Sequence, residues 1–463
     1  MTAVARRLSV VLFLLATSLV CTAPAAHGAP VLMISIDGMK PEYVTHADEH
    51  GLKIPFLRSF MAEGSYAEGV VGIFPTVTYP SHTTLITGVW PAEHGILNNL
   101  QFDPEQHFNG DWYWYAAQIR VPTLWQVAHQ AGLRTASVGW PVSVGADVDW
   151  LIPEYWRTMG PIANDNSSDR YLISALTRPV DLFHELEPAA GPYMMGNDTE
   201  AEGDEEKTRY SLEILRRYKP AFMTIHLSSL DETEHMTGPF SAESDADLEA
   251  LDGMVARLAH QAVANDPSTV VVVVSDHGFL TITHGVNLLI PFLQAGLIEM
   301  KTSAGSKTPA ITSWKAQPWM AGGMAAIMLH DPHDEPTRQQ VRELLAKLAA
   351  DPENGIAQVL DHEELVKRGG FPDAAFLVIL KQGYYTGTAT TGSLITPIEG
   401  TRGSHGFSPE FAEMHSSFLA MGAGIARHRD LGTIDMRQIA PTVAGILHAP
   451  LPLAKATPLG LKP

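Results

Sequence analysis

Apolar positions along this chain follow two periods. Val31-Leu-Met-Ile-Ser-Ile36, Phe222-Met-Thr-Ile-His-Leu227 and the run Val270 to Val274 are nearly continuous apolar segments without polar alternation. Strands of that kind are covered on both faces, which predicts the interior of a parallel sheet. Each run gives way to an acid near its carboxyl end: Asp37, Asp231 and Asp276. In open α/β sheets that edge is where ligands bind. The second period is helical. Leu248, Leu251, Val255, Leu258 and Ala262 form one stripe, which predicts a helix packed on the sheet, and Ile439 to Leu447 predicts a helix that closes the core.

A smaller unit is expected from about residue 291 to 385. Met324 to Leu329 and Phe376 to Leu380 predict strands, and Val341, Leu344, Leu345 and Leu348 predict an amphipathic helix between them. The expected fold class is therefore α/β: a mainly parallel central sheet flanked by helices, plus a small α+β cap. The catalytic core would comprise residues 29–290 and 386–463, with the cap inserted at 291–385. Gly403-Ser-His-Gly406 reads as a turn presenting His405, and the acidic run Glu200 to Glu206 as a solvated loop.

The start of the chain changes the picture of where it works. Arg6 and Arg7, the apolar stretch Leu8 to Val20 and Ala26-His-Gly28 form an export signal over residues 1–28, which predicts a periplasmic or secreted protein. The stretch is shorter than the ~20 residues a spanning helix needs, so no stable membrane insertion is expected. The single cysteine, Cys21, leaves with the signal, which removes disulfides and thiolate chemistry from the mature chain. The formal net charge is −20, and loss of Arg6 and Arg7 makes it more negative still. Such a surface disfavours nucleic-acid polymers and anionic lipid as partners. A small anionic substrate is compatible with it where bound dications set the local field.

The candidate chemistry lies at the polar edge of the sheet. Asp231 and His235 are spaced i, i+4 and share a helical face, and Asp276-His277 follows a buried strand, where an unpaired acid is costly. Singly, Asp37 reads as a helix cap and His405 as a turn residue. Together, three aspartates and three histidines fill two three-ligand sites with positions left open. Mixed nitrogen and oxygen ligation of that kind suits two catalytic Zn²⁺ ions, and the ligand types also admit Mn²⁺ or Fe²⁺. Two dications against three carboxylates leave a centre of about +1, which draws a phosphate. A nucleophile is offered by Phe74-Pro-Thr-Val-Thr-Tyr-Pro-Ser-His82, where a short helix from near Pro80 would direct its dipole at a threonine hydroxyl. Threonines in such turns also serve as caps. Asn98-Asn99 reads either as an oxyanion donor or as a turn former.

Seven separated motifs then occur in one order: Asp37-Gly38, Pro75-Thr-Val-Thr-Tyr-Pro80, Thr87-Gly88, His94-Gly-Ile96 with Asn99, Asp231 with His235-Met-Thr-Gly238, Ser275-Asp-His-Gly278, and Gly403-Ser-His-Gly406. In these the chain resembles the nucleotide pyrophosphatase/phosphodiesterase family of the alkaline phosphatase superfamily, over nearly its whole mature length. The resemblance implies an alkaline phosphatase-like sandwich. It implies Thr78 as the nucleophile that carries a phosphoryl group, and Asn99 as the amide that helps hold the phosphate. Asp231, His235 and His405 would form one zinc site. Asp37, Asp276 and His277 would form the other, which also binds the Thr78 oxygen. Tyr79 would set an aromatic ring against the organic part of a small phosphodiester or nucleotide substrate. The mature chain lacks the cysteines and the extra domains of the animal members, so their substrates do not transfer.

The expected activity is phosphodiester or pyrophosphate hydrolysis. A phosphomonoesterase or a phosphonate hydrolase would share the same site, and a non-catalytic metal- or anion-binding protein is the alternative of another class. A sulfatase is disfavoured, because Ser81-His-Thr-Thr84 lacks the Cys/Ser-x-Pro-x-Arg context those enzymes modify. Diesters are expected over monoesters. A monoester dianion needs an extra cation, for which Arg402 beside His405 is the candidate, whereas Tyr79 and Trp112-Tyr-Trp-Tyr115 offer a wall for a second organic group.

Overall fold

The computed structural model describes residues 28–105, 112–156, 166–193, 200–302 and 310–463. The expected export signal lies outside them except for Gly28. The three apolar runs are strands with the expected bounds, Val31–Ile36, Phe222–Leu227 and Val270–Val274, and every residue in them is buried. They form the centre of an eight-stranded sheet, ordered Arg429–Asp430, Ser65–Tyr66, Phe418–Gly422, Val270–Val274, Val31–Ile36, Phe222–Leu227, Thr135–Val138 and Trp150–Ile152. Val31–Ile36 runs parallel to both neighbours, with Val31 opposite Phe222 on one side and Val270 on the other. That register brings the three carboxyl ends out side by side. Phe418–Gly422 is antiparallel to Val270–Val274, so the sheet is mainly, not wholly, parallel.

Alternation along the first strand divides the interior. Leu32, Ile34 and Ile36 pack under helices that include Ala242–Asn265, whose predicted stripe is fully buried. Val31 and Met33 face the other way, against Thr78–Thr87, Leu124–Gln130 and Ile439–Leu447.

A second, antiparallel sheet has the order Ala316–Ala321, Met324–Leu329, Phe376–Leu380, Ile356–Asp361, and the helix Glu335–Ala349 packs on it through Val341 and Leu345. Tyr384–Thr386 runs across the expected boundary at 385, because it pairs with Leu280–Val286 in a three-stranded sheet completed by Ile395–Ser404. Two local expectations differ from the structure. Gly403 and Ser404 end that last strand, so only His405 and Gly406 lie in the turn. The acidic run at 200–206 is no solvated loop: it opens the helix Ala201–Tyr218, with Asp204 and Glu206 buried. Among the described residues no helix is long and apolar enough to cross a membrane.

Candidate metal centre and nucleophile

The strand ends deliver the first ligand group directly. Asp37, Asp276 and His277 follow Val31–Ile36 and Val270–Val274, and their ligand atoms lie close enough to share one ion. His277 Nε2 is 3.1 Å from Asp276 Oδ2 and 3.3 Å from Asp37 Oδ1. Gly38, at φ +74°, donates its N–H to Asp276 Oδ1 at 3.2 Å. Burial pushes both carboxyls well above the usual range, with Asp231 repelling Asp37 and Asp37 repelling Asp276. Burial holds His277 well below its ordinary value, so the ring is a neutral donor.

The second group is assembled from more distant parts. Asp231 and His235 lie one turn apart on the helix Ser229–Thr237, and His405 comes from the turn after Ile395–Ser404. Asp231 Oδ2 is 3.5 Å from His235 Nε2, and Oδ1 is 3.7 Å from His405 Nε2. Nδ1 of His235 meets Gly403 O at 3.1 Å and Nδ1 of His405 meets Thr76 O at 3.2 Å. A carbonyl accepts only, so Nδ1 carries the proton and Nε2 presents its lone pair to the site. Burial pushes His405 down to about 3. The His277 and His405 rings stack at 3.7 Å, which joins the two groups into one centre.

The donor set fits divalent metal. Asp37 Oδ1, Asp231 Oδ1 and Asp276 Oδ2 are buried and have no hydrogen-bond donor among the described residues. Three such oxygens converging beside neutral imidazoles are costly unless a cation balances them. A third cluster, Asp37 with His82 and His226, does not compete. His82 is bonded to Thr78 O and Ser35 Oγ, and His226 to Asp37, Gly139 O and Glu154, so no ring nitrogen is free.

The threonine loop resolves into two roles. Thr76 is fully buried, and its hydroxyl donates to Phe407 O at 2.6 Å. Thr78 lines the cavity with Oγ1 3.5 Å from His277 Nε2, and it begins the helix Thr78–Thr87. The helix therefore starts two residues before Pro80, which sits in its first turn, where no N–H partner is required. Its sequence looks polar, yet every residue is buried. Thr83 and Thr87 satisfy their hydroxyls on the carbonyls one turn back, Tyr79 O at 2.8 Å and Thr83 O at 2.7 Å. Asn99 Oδ1 accepts from Tyr79 N at 2.9 Å, which turns its NH₂ away from that contact while the residue lines the cavity.

The cavity, about 350 Å³, also touches Tyr79, Trp112, Glu154, Trp156, Lys207, His226, Ser228 and Glu232. Tyr79 is 1% exposed, its ring lies 5.1 Å from Trp112, and its hydroxyl donates to Glu154 Oε1 at 2.6 Å. The expected aromatic wall divides: Trp112 and Trp156 meet edge to face at 4.7 Å in the cavity, whereas Trp114 is core and Tyr115 is exposed. Sequence reasoning missed Glu154, His226 and Lys207. His226 sits inside an apolar run, and Lys207 directly follows the segment read as a loop. Lys207 Nζ bonds Asp204 Oδ1 at 2.6 Å and Ser228 Oγ at 2.9 Å, which seats it at the cavity wall. Arg402 instead donates to Met236 O, outside the cavity lining.

Residues 31–408 match the model of the type I phosphodiesterase / nucleotide pyrophosphatase family. Human ectonucleotide pyrophosphatase/phosphodiesterase family member 1 is 23% identical over 239 residues, 50% of this chain and 21% of that protein. A bis(5'-adenosyl)-triphosphatase of Xenopus laevis is 31% identical over 125 residues, 26% of this chain and 25% of the relative. The chain thus matches about a quarter or less of the length of these curated relatives. Among solved structures, human ectonucleotide pyrophosphatase/phosphodiesterase 5 aligns with a TM-score of 0.60 at 18% identity, covering 91% of this chain and 95% of that one. The murine protein, as an inactive threonine-to-alanine variant in complex with AMP, aligns at 0.61 and 19% over the same shares. These neighbours establish the fold as the alkaline phosphatase-like sandwich.

Proposed function

Since the chain belongs to the type I phosphodiesterase / nucleotide pyrophosphatase family, we propose that it is an exported two-zinc hydrolase of phosphodiester or pyrophosphate bonds. The observation that carries this reading is the position of Thr78: a hydroxyl at a helix N-terminus, in the cavity, 3.5 Å from His277 Nε2 in a centre that joins two three-ligand groups. Asp37, Asp276 and His277 would hold one dication and Asp231, His235 and His405 the other. Bound there, the ions supply Lewis acidity that favours an ionised hydroxyl and offsets charge on the phosphate.

The chain's own part is a two-step displacement. Thr78 Oγ forms a bond to phosphorus as the P–O bond to the departing alcohol or phosphate breaks, and the hydroxyl proton is lost to solvent. Water then replaces the threonine oxygen, which regenerates Thr78 and releases the phosphoryl product. Asn99, fixed through Tyr79 N, directs its amide at the phosphate oxygens. An inactive threonine variant among the fold neighbours supports this role, and AMP bound to that protein supports a nucleotide as the substrate class. Residues 291–385 form the cap in this reading, inserted into a core of 29–290 and 386–463. Support comes from its separate four-stranded sheet and from two apolar clusters drawn mainly from it.

Turnover of bis(p-nitrophenyl) phosphate against the monoester, with and without chelator, tests the proposal. The diester is expected to be the better substrate and chelator to stop the reaction. A monoester preference would move the assignment to phosphatase. Activity in a folded sample that elemental analysis finds free of transition metal would remove the two-metal reading.

A further inference from the structure

We infer that Glu154 and His226 are positioning residues that lock the Asp37 ligand and the Thr78 turn into one geometry, an inference that rests on the two-metal reading above. Four side chains form an unbroken buried chain. Asp37 Oδ2 meets His226 Nε2 at 3.0 Å, His226 Nδ1 meets Glu154 Oε2 at 3.0 Å, and Glu154 Oε1 accepts from the Tyr79 hydroxyl at 2.6 Å. None of the four is more than 6% exposed. They come from the end of Val31–Ile36, the strand Phe222–Leu227, the segment after Trp150–Ile152 and the first turn of Thr78–Thr87.

Each end of the chain does something specific. At Asp37, His226 occupies Oδ2, so Oδ1, which faces His277 Nε2 at 3.3 Å and has no hydrogen-bond donor among the described residues, is the oxygen left for a cation. The carboxylate is thereby set as a one-oxygen ligand. At Tyr79, Glu154 holds the phenol while the backbone N–H holds Asn99 Oδ1 at 2.9 Å, so the first helical turn and the Asn99 amide are fixed together. Partners of this kind behind a ligand tune metal affinity by orienting it. Glu154 lines the cavity, but both its oxygens are committed to this chain rather than aimed at substrate.

Zinc itself is the probe. The loaded protein is equilibrated in graded zinc buffers, metal retained per chain is counted, and kcat and KM are measured on the diester. Glu154→Gln keeps the volume but offers one acceptor oxygen where two bonds are needed. It and His226→Gln should each weaken one of the two zinc ions by about 10–100-fold. They should lower kcat while KM stays within about twofold. Tyr79→Phe keeps the ring and should lower kcat less, with little further loss when combined with Glu154→Gln, because linked residues are non-additive. Wild-type affinity for both ions in Glu154→Gln overturns the inference, as does a raised KM with kcat unchanged, which would make Glu154 a substrate contact. Should His226→Gln fail to fold, the Tyr79→Phe and Glu154→Gln cycle decides, and fully additive losses overturn the inference. A wild-type chain that takes up no divalent metal overturns the two-metal reading and this inference together.

Discussion

The two ligand groups hold similar side chains on different foundations. Asp37, Asp276 and His277 leave two neighbouring strands at the sheet edge, with side chains 0–4% exposed. Asp231, His235 and His405 are drawn from a helix and a distant turn, with side chains 18%, 32% and 10% exposed. Strand pairing brings the first group together, and His226 then orients Asp37 within it. The second also needs the smaller sheet: Gly323 N donates to His405 O at 3.2 Å, and Gly406 N reaches back to Thr76 O at 2.9 Å. Asn98 is tied to the same hairpin through Met320 O at 2.8 Å. Strands thus build one half of the centre and tertiary contacts build the other, which predicts that an ion held by the second half exchanges the more readily.

Thr78 borders the strand-end half, with Oγ1 3.5 Å from His277 Nε2, and its removal should have the largest effect. Thr78→Ala is expected to lower kcat by roughly 10⁴-fold or more, as loss of a nucleophile does elsewhere. Elemental analysis should still find both metals, because the hydroxyl brings no charge to the empty site. Thr78→Ser should keep partial activity. Thr76→Ala should be mild, since that hydroxyl only ties the loop to Phe407 O. A Thr76 variant that is inactive beside a working Thr78 variant would reverse the assignment.

The unequal foundations predict unequal losses. Asp276→Ala should remove the metal of the strand-end group and leave the other. Gly406→Ala should do the reverse through the backbone: Gly406 has φ +81°, and an added Cβ would lie 2.3 Å from Ala321 O. Displacing the turn should weaken the His405 metal by about 10-fold or more and cost about 1–3 kcal/mol of stability, while the strand-end metal is held as in the wild type. Metal counts during stepwise chelation of both variants are the measurement. Equal loss of both ions in Gly406→Ala would show that the two halves do not separate.

The same division explains what was readable from the chain. The three central strands, the stripe at Leu248 to Ala262 and the closing helix at Ile439–Leu447 follow from periodicity, because burial on both faces or on one stripe imposes it. Five of the six candidate ligands stood out because they follow such an element or repeat at i, i+4, whereas His405 was read from its turn motif and the family resemblance. Three things did not. Thr78–Thr87 begins before its proline and is wholly buried despite polar residues, since hydroxyls bonded within the helix hide from pattern reading. His226 carries a ring inside an apolar strand, and only its partners Asp37 and Glu154 reveal a role. Lys207 directly follows an acidic run that is charged in sequence but partly buried in space: Asp204 accepts from Ser228 N and Ser229 N and so caps the helix bearing Asp231.

The smallest expected effect concerns Arg402, the one cation that proximity in sequence assigned to the site. Its guanidinium donates to Met236 O at 2.7 Å on the partly exposed rim, and the cavity is lined instead by Lys207. Lys207 spends its charge on Asp204 at 2.6 Å, so neither residue supplies a free cation for the third oxygen of a monoester. Arg402→Ala should therefore leave the diester-to-monoester ratio of kcat/KM within about twofold of the wild type, the range of a change that removes no transition-state contact. Because Arg402 packs on the helix that carries His235, the exposed half of the centre is where any change would register. A drop in monoester turnover of about tenfold or more, with metal content intact, would place the guanidinium on the substrate and tie monoester recognition to that exposed half.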